Sequence, residues 1–277
     1  MAARPSPANG GRRRLPPGGR AGYAGRMTRS PRRPATLPTS PRHGLARVLS
    51  KLGVCSRSQA EQAVRDGRVS VDGRRVLDPE RPTDPAREAI ALDGASVRAA
   101  APVYIALNKP RGIVVSAADE HGRDTVYHLI KDAGLPWLGP VGRLDRASEG
   151  LLLLSNDTVW AAGLTEPRHH VDKTYHVQID CRPDAPLLAK LRAGVVDAGE
   201  RLGAVAVNVL REGEKNAWLE VVLDEGRNRH IRRLLAAHDI GVLRLIRVAI
   251  GPLVLGELPK SQWRHLTPDE VHALRRG

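Results

Sequence analysis

Three stretches of the 277-residue chain hold side chains whose types and spacing could do chemistry. The first is Val141-Gly142-Arg143-Leu144-Asp145-Arg146-Ala147-Ser148-Glu149-Gly150, followed by four leucines, Leu151–Leu154. A polar loop bounded by glycines and running into a buried strand can hold a carboxylate against rigid backbone, with arginines beside it to keep it ionised. An ionised Asp145 could act as nucleophile or base. Asp145 and Glu149 could instead form a glycosidase-like carboxylate pair, although four residues on a loop do not set their separation. A surface loop salt-bridged through Arg143 or Arg146 would need no chemistry at all.

The second stretch is Glu225-Gly226-Arg227-Asn228-Arg229-His230-Ile231-Arg232-Arg233. A strand ends, Gly226 turns, and a helix predicted over residues 228–238 starts among Asn228, Arg229 and further arginines, which suits phosphate. A plain cationic amphipathic helix has the same pattern. The third is Asp172-Lys173-Thr174-Tyr175-His176-Val177, an alternating strand carrying one of four tyrosines. Tyr175 is either packing or a stacking surface for an extruded base.

The elements that must position these residues are mixed in type. Strands are predicted over 103–108, 113–116, 151–155, 173–180, 205–210 and 218–223, and helices over 125–133, 185–193 and 228–238. Ahead of them, Leu45, Val48, Leu49 and Leu52 recur at helical spacing before Gly53. Ser56 opens a second helix with Gln59 as its capping-box partner, and Ala60, Ala63 and Val64 supply its apolar face. Residues 68–76 then alternate about an Asp72-Gly73 turn, as a hairpin does.

Composition bounds the setting. The charge is +14, aromatic residues are 3% and Phe is absent, so any core is aliphatic. No apolar run approaches the ~20 residues of a membrane helix. Two cysteines make neither a disulfide framework nor a zinc site, and a reducing, aqueous compartment is expected. Residues 1–43 contain ten arginines and no acid amid Pro and Gly, and are expected to be a disordered, dispensable basic tail. An organelle-targeting segment and an untranslated extension upstream of Met27 are the alternatives. The domains expected are a tail (1–43), a compact module (44–98), a linker (99–102) and a larger domain (103–277).

The stretch LARVLSKLGVCSRSQAEQAVRDGRVSVDGRRV resembles the S4 RNA-binding domain. That resemblance implies that Arg47, Lys51, Ser56 and Arg57 face RNA phosphates, contacts that position a protein without reading bases. LNKPRGIVVS, VGRLDRASEGLLLLSND, DKTYHV, EGRNRHIRR and LIRVAIGPLVLGELPKSQWRHLT resemble, in order, the RsuA/RluB type of ribosomal RNA pseudouridine synthase. The fold so implied is α+β: an S4 domain, then a synthase domain on a bent, mainly antiparallel mixed sheet flanked by helices.

The resemblance implies that the chain breaks the C1′–N1 bond of a uridine, rotates the base and rejoins it through C5, with no metal or other cofactor. Asp145 becomes the catalytic carboxylate, attacking sugar C1′ or uracil C6. Tyr175 is expected against the uracil, Arg227 in an ion pair with Asp145, and Leu245 in the wall of the base pocket. Arg143 and Arg146 are expected at phosphates of the flipped nucleotide, with Asn228 and Arg229 also on RNA. Ser148, Ser155 and His230 depart from the commoner residues, and His230 could tune pH dependence. The implied partner is ribosomal RNA or an assembly intermediate, the large subunit preferred over the small, for a cytoplasmic monomer. A non-catalytic S4-type RNA-binding protein is the competing class, and it has no need of Asp145, Tyr175 and Arg227 together.

Overall fold

The computed structural model describes residues 43–116, 122–166 and 169–276. The basic tail, His43 apart, lies outside them. His43–Gly44 pairs with Pro82–Thr83, so His43, one residue ahead of the expected module, takes part in its pairing. Helices Leu45–Lys51 and Arg57–Arg65 follow the predicted spacing. The capping box forms as the sequence indicates, with the Ser56 hydroxyl accepting from Gln59 N and the Gln59 side chain accepting from Ser56 N. Asp72 and Gly73 take φ of 50° and 74°, the left-handed pair that a two-residue hairpin turn requires. Leu45, Leu49, Ala60, Val64, Val69 and Ile90 close this small core.

The larger part is built on one mixed sheet. Its strands run in the order Ala206–Glu212, Ala217–Leu223, Lys173–Ile179, Val242–Ile250, Glu149–Ser155, Tyr104–Lys109, Trp263–His265. Every neighbouring pair is antiparallel except one. Val242–Ile250 meets Glu149–Ser155 in parallel, and only through Ile246 opposite Glu149 and Arg247 opposite Gly150. Farther along, the same edge of Glu149–Ser155 is taken by Gly139–Val141. The sheet is therefore two halves joined at a seam two residues long.

Most of each half's core is its own, although Leu144 packs into the cluster around Val177 and Ile179 and Ile250 into that around Leu151 and Leu153. Helices Ala185–Ala193 and His230–Ala236 bring Leu191, Leu234 and Leu235 onto Val177, Ile179, Leu219 and Val221. Helices Thr158–Thr165 and Pro268–Arg276 bring Trp160, Leu164 and Leu274 onto Leu151 and Leu153. Leu152 and Leu154 point the other way, against Ile105, Leu107 and Leu138. The four-leucine run is thus a strand buried on both faces, each side chain contributing about 1.5–3 kcal/mol.

Two expected elements are replaced. Residues 125–133 form only the 3-10 turn Val126–Leu129, and 113–116 form no strand. Instead Val114 donates to Asp124 O and accepts from Val126 N, so the two segments pair sideways with each other. The third helix begins at His230, because Arg229 takes φ 50° and cannot continue a right-handed turn. The linker is held on both sides: Ala100 N donates to Leu52 O, and Asn156 Nδ2 to Ala101 O.

Gly150 sits where the halves meet, at φ +103°. A Cβ there would overlap the Arg247 carbonyl oxygen and stand 2.8 Å from Arg247 N. Gly150→Ala should therefore lower stability by more than about 2 kcal/mol, from left-handed strain plus the forced separation of the strands. Urea unfolding measures this, and a loss below ~0.5 kcal/mol would show that the seam yields freely.

Candidate active site

The loop that carries Asp145 is gripped through its backbone. Lys109, at the end of strand Tyr104–Lys109, is fully buried. Its Nζ donates to Pro110 O at 3.0 Å, Asp145 O at 3.1 Å and Ser148 O at 2.9 Å. Arg232, in the helix His230–Ala236, donates Nη2 to Ala147 O at 3.1 Å. Arg247, in strand Val242–Ile250, donates Nε to Leu151 O at 2.7 Å and Nη1 to Arg143 O at 3.3 Å. Three cations from three elements thus occupy four loop carbonyls, those of residues 143, 145, 147 and 148.

Burial pulls the Lys109 ammonium down from 10.5 to about 8, against the Asp145 and Glu149 charges that favour its protonated form. Burial also lowers Arg232, with Arg229 and Arg111 acting the same way and Asp145 opposing. The Asp145 side chain is half-buried and borders a cavity of about 440 Å³ that opens across the seam. Leu144, Tyr175, Ile231 and Leu245 give this cavity its apolar wall, while Lys173, Arg227 and Arg247 line it with charge. Tyr175 lies opposite Arg247 in the strand register, and both are buried. Arg232 Nε and Arg247 Nη2 are buried with no hydrogen-bond partner among the described residues.

Of the residues singled out in the sequence, Asp145, Arg143, Tyr175, Arg227, Arg229 and Leu245 line this one cavity. Arg146 and Arg229 border a second hollow on the other side of Asp145, together with Arg111. Asn228 lines neither.

The expected Arg227–Asp145 pair is not formed. Arg227 Nε lies 2.9 Å from both oxygens of Glu225, and Nη1 is 3.4 Å from Glu200. Glu225 is two residues away on the same turn and Glu200 comes from the hairpin Val195–Asp197/Glu200–Leu202, so both reach the guanidinium first. The cations that sense Asp145 are Lys109 and Arg232.

His230 is buried, its Nε2 lying against the Gly203 backbone at 2.9 Å from the oxygen, and burial lowers its pKa. It anchors the turn. Lys109 and Arg232 were both missed. The signal for Lys109 was a charged residue closing an apolar strand just ahead of a proline.

In the S4 part, Arg47, Lys51 and Arg57 are exposed. Arg57 is paired with Glu61 at 3.2 Å and Glu80 at 3.0 Å. Ser56 is buried and its hydroxyl oxygen accepts the Gln59 N–H of the helix cap. Among the described residues, no helix is long and apolar enough to cross a membrane, and no group of three or more His, Cys, Asp or Glu is placed to hold a metal.

Lys109→Met would leave the carbonyls of Pro110 and Ser148 without this donor, while Asp145 O keeps Ser148 N, and should cost about 3 kcal/mol in urea unfolding. The pH dependence has a definite sign. Between about 8 and 10.5 the unfolded chain holds this proton and the folded chain does not, so the group makes stability rise with pH across that window. The stability gap between parent and Lys109→Met should therefore widen from pH 7.5 to pH 10. A gap that is constant or narrows contradicts the buried ammonium.

Comparison with known proteins bears on what this cavity serves. Residues 103–237 match the family model described as RNA pseudouridylate synthase, and residues 44–85 match the S4 domain. Over 83% of its length the chain is 35% identical to the ribosomal large subunit pseudouridine synthase B of Bacillus subtilis, spanning 95% of that protein. It is 40% identical, over 83% of its length, to an uncharacterized RNA pseudouridine synthase of Mycobacterium tuberculosis, spanning 92% of it. A crystal structure of a pseudouridylate synthase matches with a TM-score of 0.59 at 29% identity, covering 85% of this chain and all of that one. Likeness at this level along nearly the whole length of such relatives makes the chain a member of the RNA pseudouridine synthase family, in the form that carries an S4 domain ahead of the synthase domain.

Proposed function

We propose that the chain converts one uridine of ribosomal RNA, in the large subunit, to pseudouridine. The observation that carries this reading is a half-buried aspartate on a rigid loop, bordering a cavity large enough for a nucleotide whose apolar wall includes a buried tyrosine. The name of the Bacillus relative supports the choice of subunit.

The target nucleotide leaves its stack and enters the cavity, at a cost of a few kcal/mol. Asp145 attacks, at sugar C1′ or uracil C6. The C1′–N1 bond breaks, the base turns, the C1′–C5 bond forms, the Asp145–carbon bond breaks to release the carboxylate, and the C5 proton leaves as N1 gains one. Leu144 and Leu245 enclose the ring and Tyr175 lies against it, near enough to assist loss of the C5 proton. The unpartnered Nη2 of Arg247 is a donor available to a uracil carbonyl.

Arg111, Arg143, Arg146 and Arg229 flank Asp145 and meet the phosphates on either side of the flipped nucleotide. Arg47 and Lys51 hold the same RNA farther along. The reaction needs no metal or nucleotide cofactor, and the enzyme works as a cytoplasmic monomer.

The test is conversion of transcribed ribosomal RNA by the purified chain, with pseudouridine mapped chemically. Asp145→Asn should lower turnover at least about 10³-fold and leave RNA affinity within roughly threefold. An active Asp145→Asn variant would falsify the assignment. Arg232→Ala, which releases Ala147 and removes a cation beside Asp145, should cost about 100-fold in kcat, and Arg227→Ala less than about tenfold. The reverse order would restore Arg227 as the partner of Asp145.

A further inference from the structure

Glu149 follows the Asp145 loop and takes no part in the proposed chemistry. Its side chain is 4% exposed, yet it meets two cations. Arg244 grips it with a fork, Nε to Oε1 at 3.0 Å and Nη2 to Oε2 at 3.2 Å. Lys260 Nζ lies 2.5 Å from Oε2. Burial pushes the carboxyl upward, but the bonds to Arg244 and Lys260 outweigh it and hold the group below its ordinary value.

The two cations come from opposite halves of the sheet. Arg244 lies in strand Val242–Ile250, opposite Gln178, with its guanidinium 5.6 Å from the centre of the Trp218 ring. Lys260 lies in the loop before Trp263–His265, and that loop is tied to the first half: Ser261 N donates to Asn108 O at 2.8 Å, and Asn108 Nδ2 to Leu258 O at 2.7 Å. Glu149 itself is one of the two residues through which the halves touch.

We propose that Glu149, clamped between Arg244 and Lys260, is a positioning residue that fixes one half of the sheet against the other. It thereby sets the placement of Asp145, from the first half, relative to Tyr175 and Leu245, from the second. Two pairs of parallel backbone resist shear weakly, whereas a forked, charge-assisted bond fixes distance and orientation together. A buried ion pair adds little net stability, because desolvation offsets its attraction. Its effect belongs in turnover, where a misplacement of about 1 Å costs roughly 100-fold.

The inference rests on the reading of Asp145 as the reacting carboxylate. Its test compares the parent chain, Glu149→Gln, Lys260→Met and the double variant on ribosomal RNA, each well below its melting temperature. Lys260 is 60% exposed, so its variant keeps the core intact. Glu149→Gln should lower kcat about tenfold and Lys260→Met about threefold to tenfold, with KM for RNA unchanged within twofold. The double variant should lose no more than Glu149→Gln alone, because Lys260 acts through Glu149. A folded Lys260→Met with parental kcat, losses confined to KM, or losses that multiply in the double variant would each overturn the clamp. A parent chain that converts no uridine overturns the functional reading instead, and the clamp's role with it.

Discussion

A buried ammonium holds the rest of the site in place. Lys109 spends its three protons on the carbonyls of Pro110, Asp145 and Ser148, and no water reaches it. Lysine suits this position because three donors on a compact head can reach acceptors in three directions, where a planar guanidinium could not. Arg232 and Arg247 extend the grip to residues 147 and 143. The loop is defined by what its backbone accepts. With its carbonyls held by cations, the Asp145 side chain is left free to face the cavity. A reacting group fixed this way loses little entropy when substrate arrives.

That rigidity is local, and the site spans a joint. Asp145 belongs to the half of the sheet built on the leucine strand, while Tyr175, Arg232 and Leu245 belong to the half built around Lys173–Ile179. Each half has a largely distinct aliphatic core, with Leu144 and Ile250 crossing between them. The backbone contact between them is two residues long. Polar side chains also cross it, Arg247 to Leu151 and Arg244 to Glu149, and add direction to the apolar contacts of Leu144 and Ile250. The absence of any side chain at Gly150 is the matching constraint, since the strands come too close there to admit a Cβ.

Local signals in the sequence translated well wherever local physics decides. The Ser56–Gln59 capping box, the Asp72-Gly73 turn and the alternation around Tyr175 all reflect interactions within a few residues, and the observed elements follow them. The leucine run announced a strand buried on both faces. Partner choice among arginines was not legible, because it depends on which acids the fold delivers. Glu200 arrives at Arg227 from a hairpin 27 residues away, a distance no motif encodes. The helix start was misplaced for a similar reason: a left-handed Arg229 has no compositional mark, as a glycine would. Lys109 had only a faint mark, a charge closing an apolar strand before a proline. A lysine in a sequence looks solvated until three carbonyls are seen around it.

The charge of the chain acquires a different meaning once the partners are known. Residues 1–43 carry ten of the positive charges and no negative one, so the body of the protein is only mildly basic. Much of what remains is committed internally: Arg68 to Asp93, Arg81 to Glu88, Arg233 to Asp197 and Glu200, Arg264 to Glu270. Arg111, Arg143, Arg146 and Arg229 have no acidic side chain bonded to them among the described residues, and they flank Asp145. Each phosphate neutralised on a single strand contributes about −0.7 to the slope of log affinity against log salt. Under the proposed function, a few uncommitted arginines around one carboxylate localise RNA at the cavity, where a large net charge spread over the surface would only raise its concentration nearby.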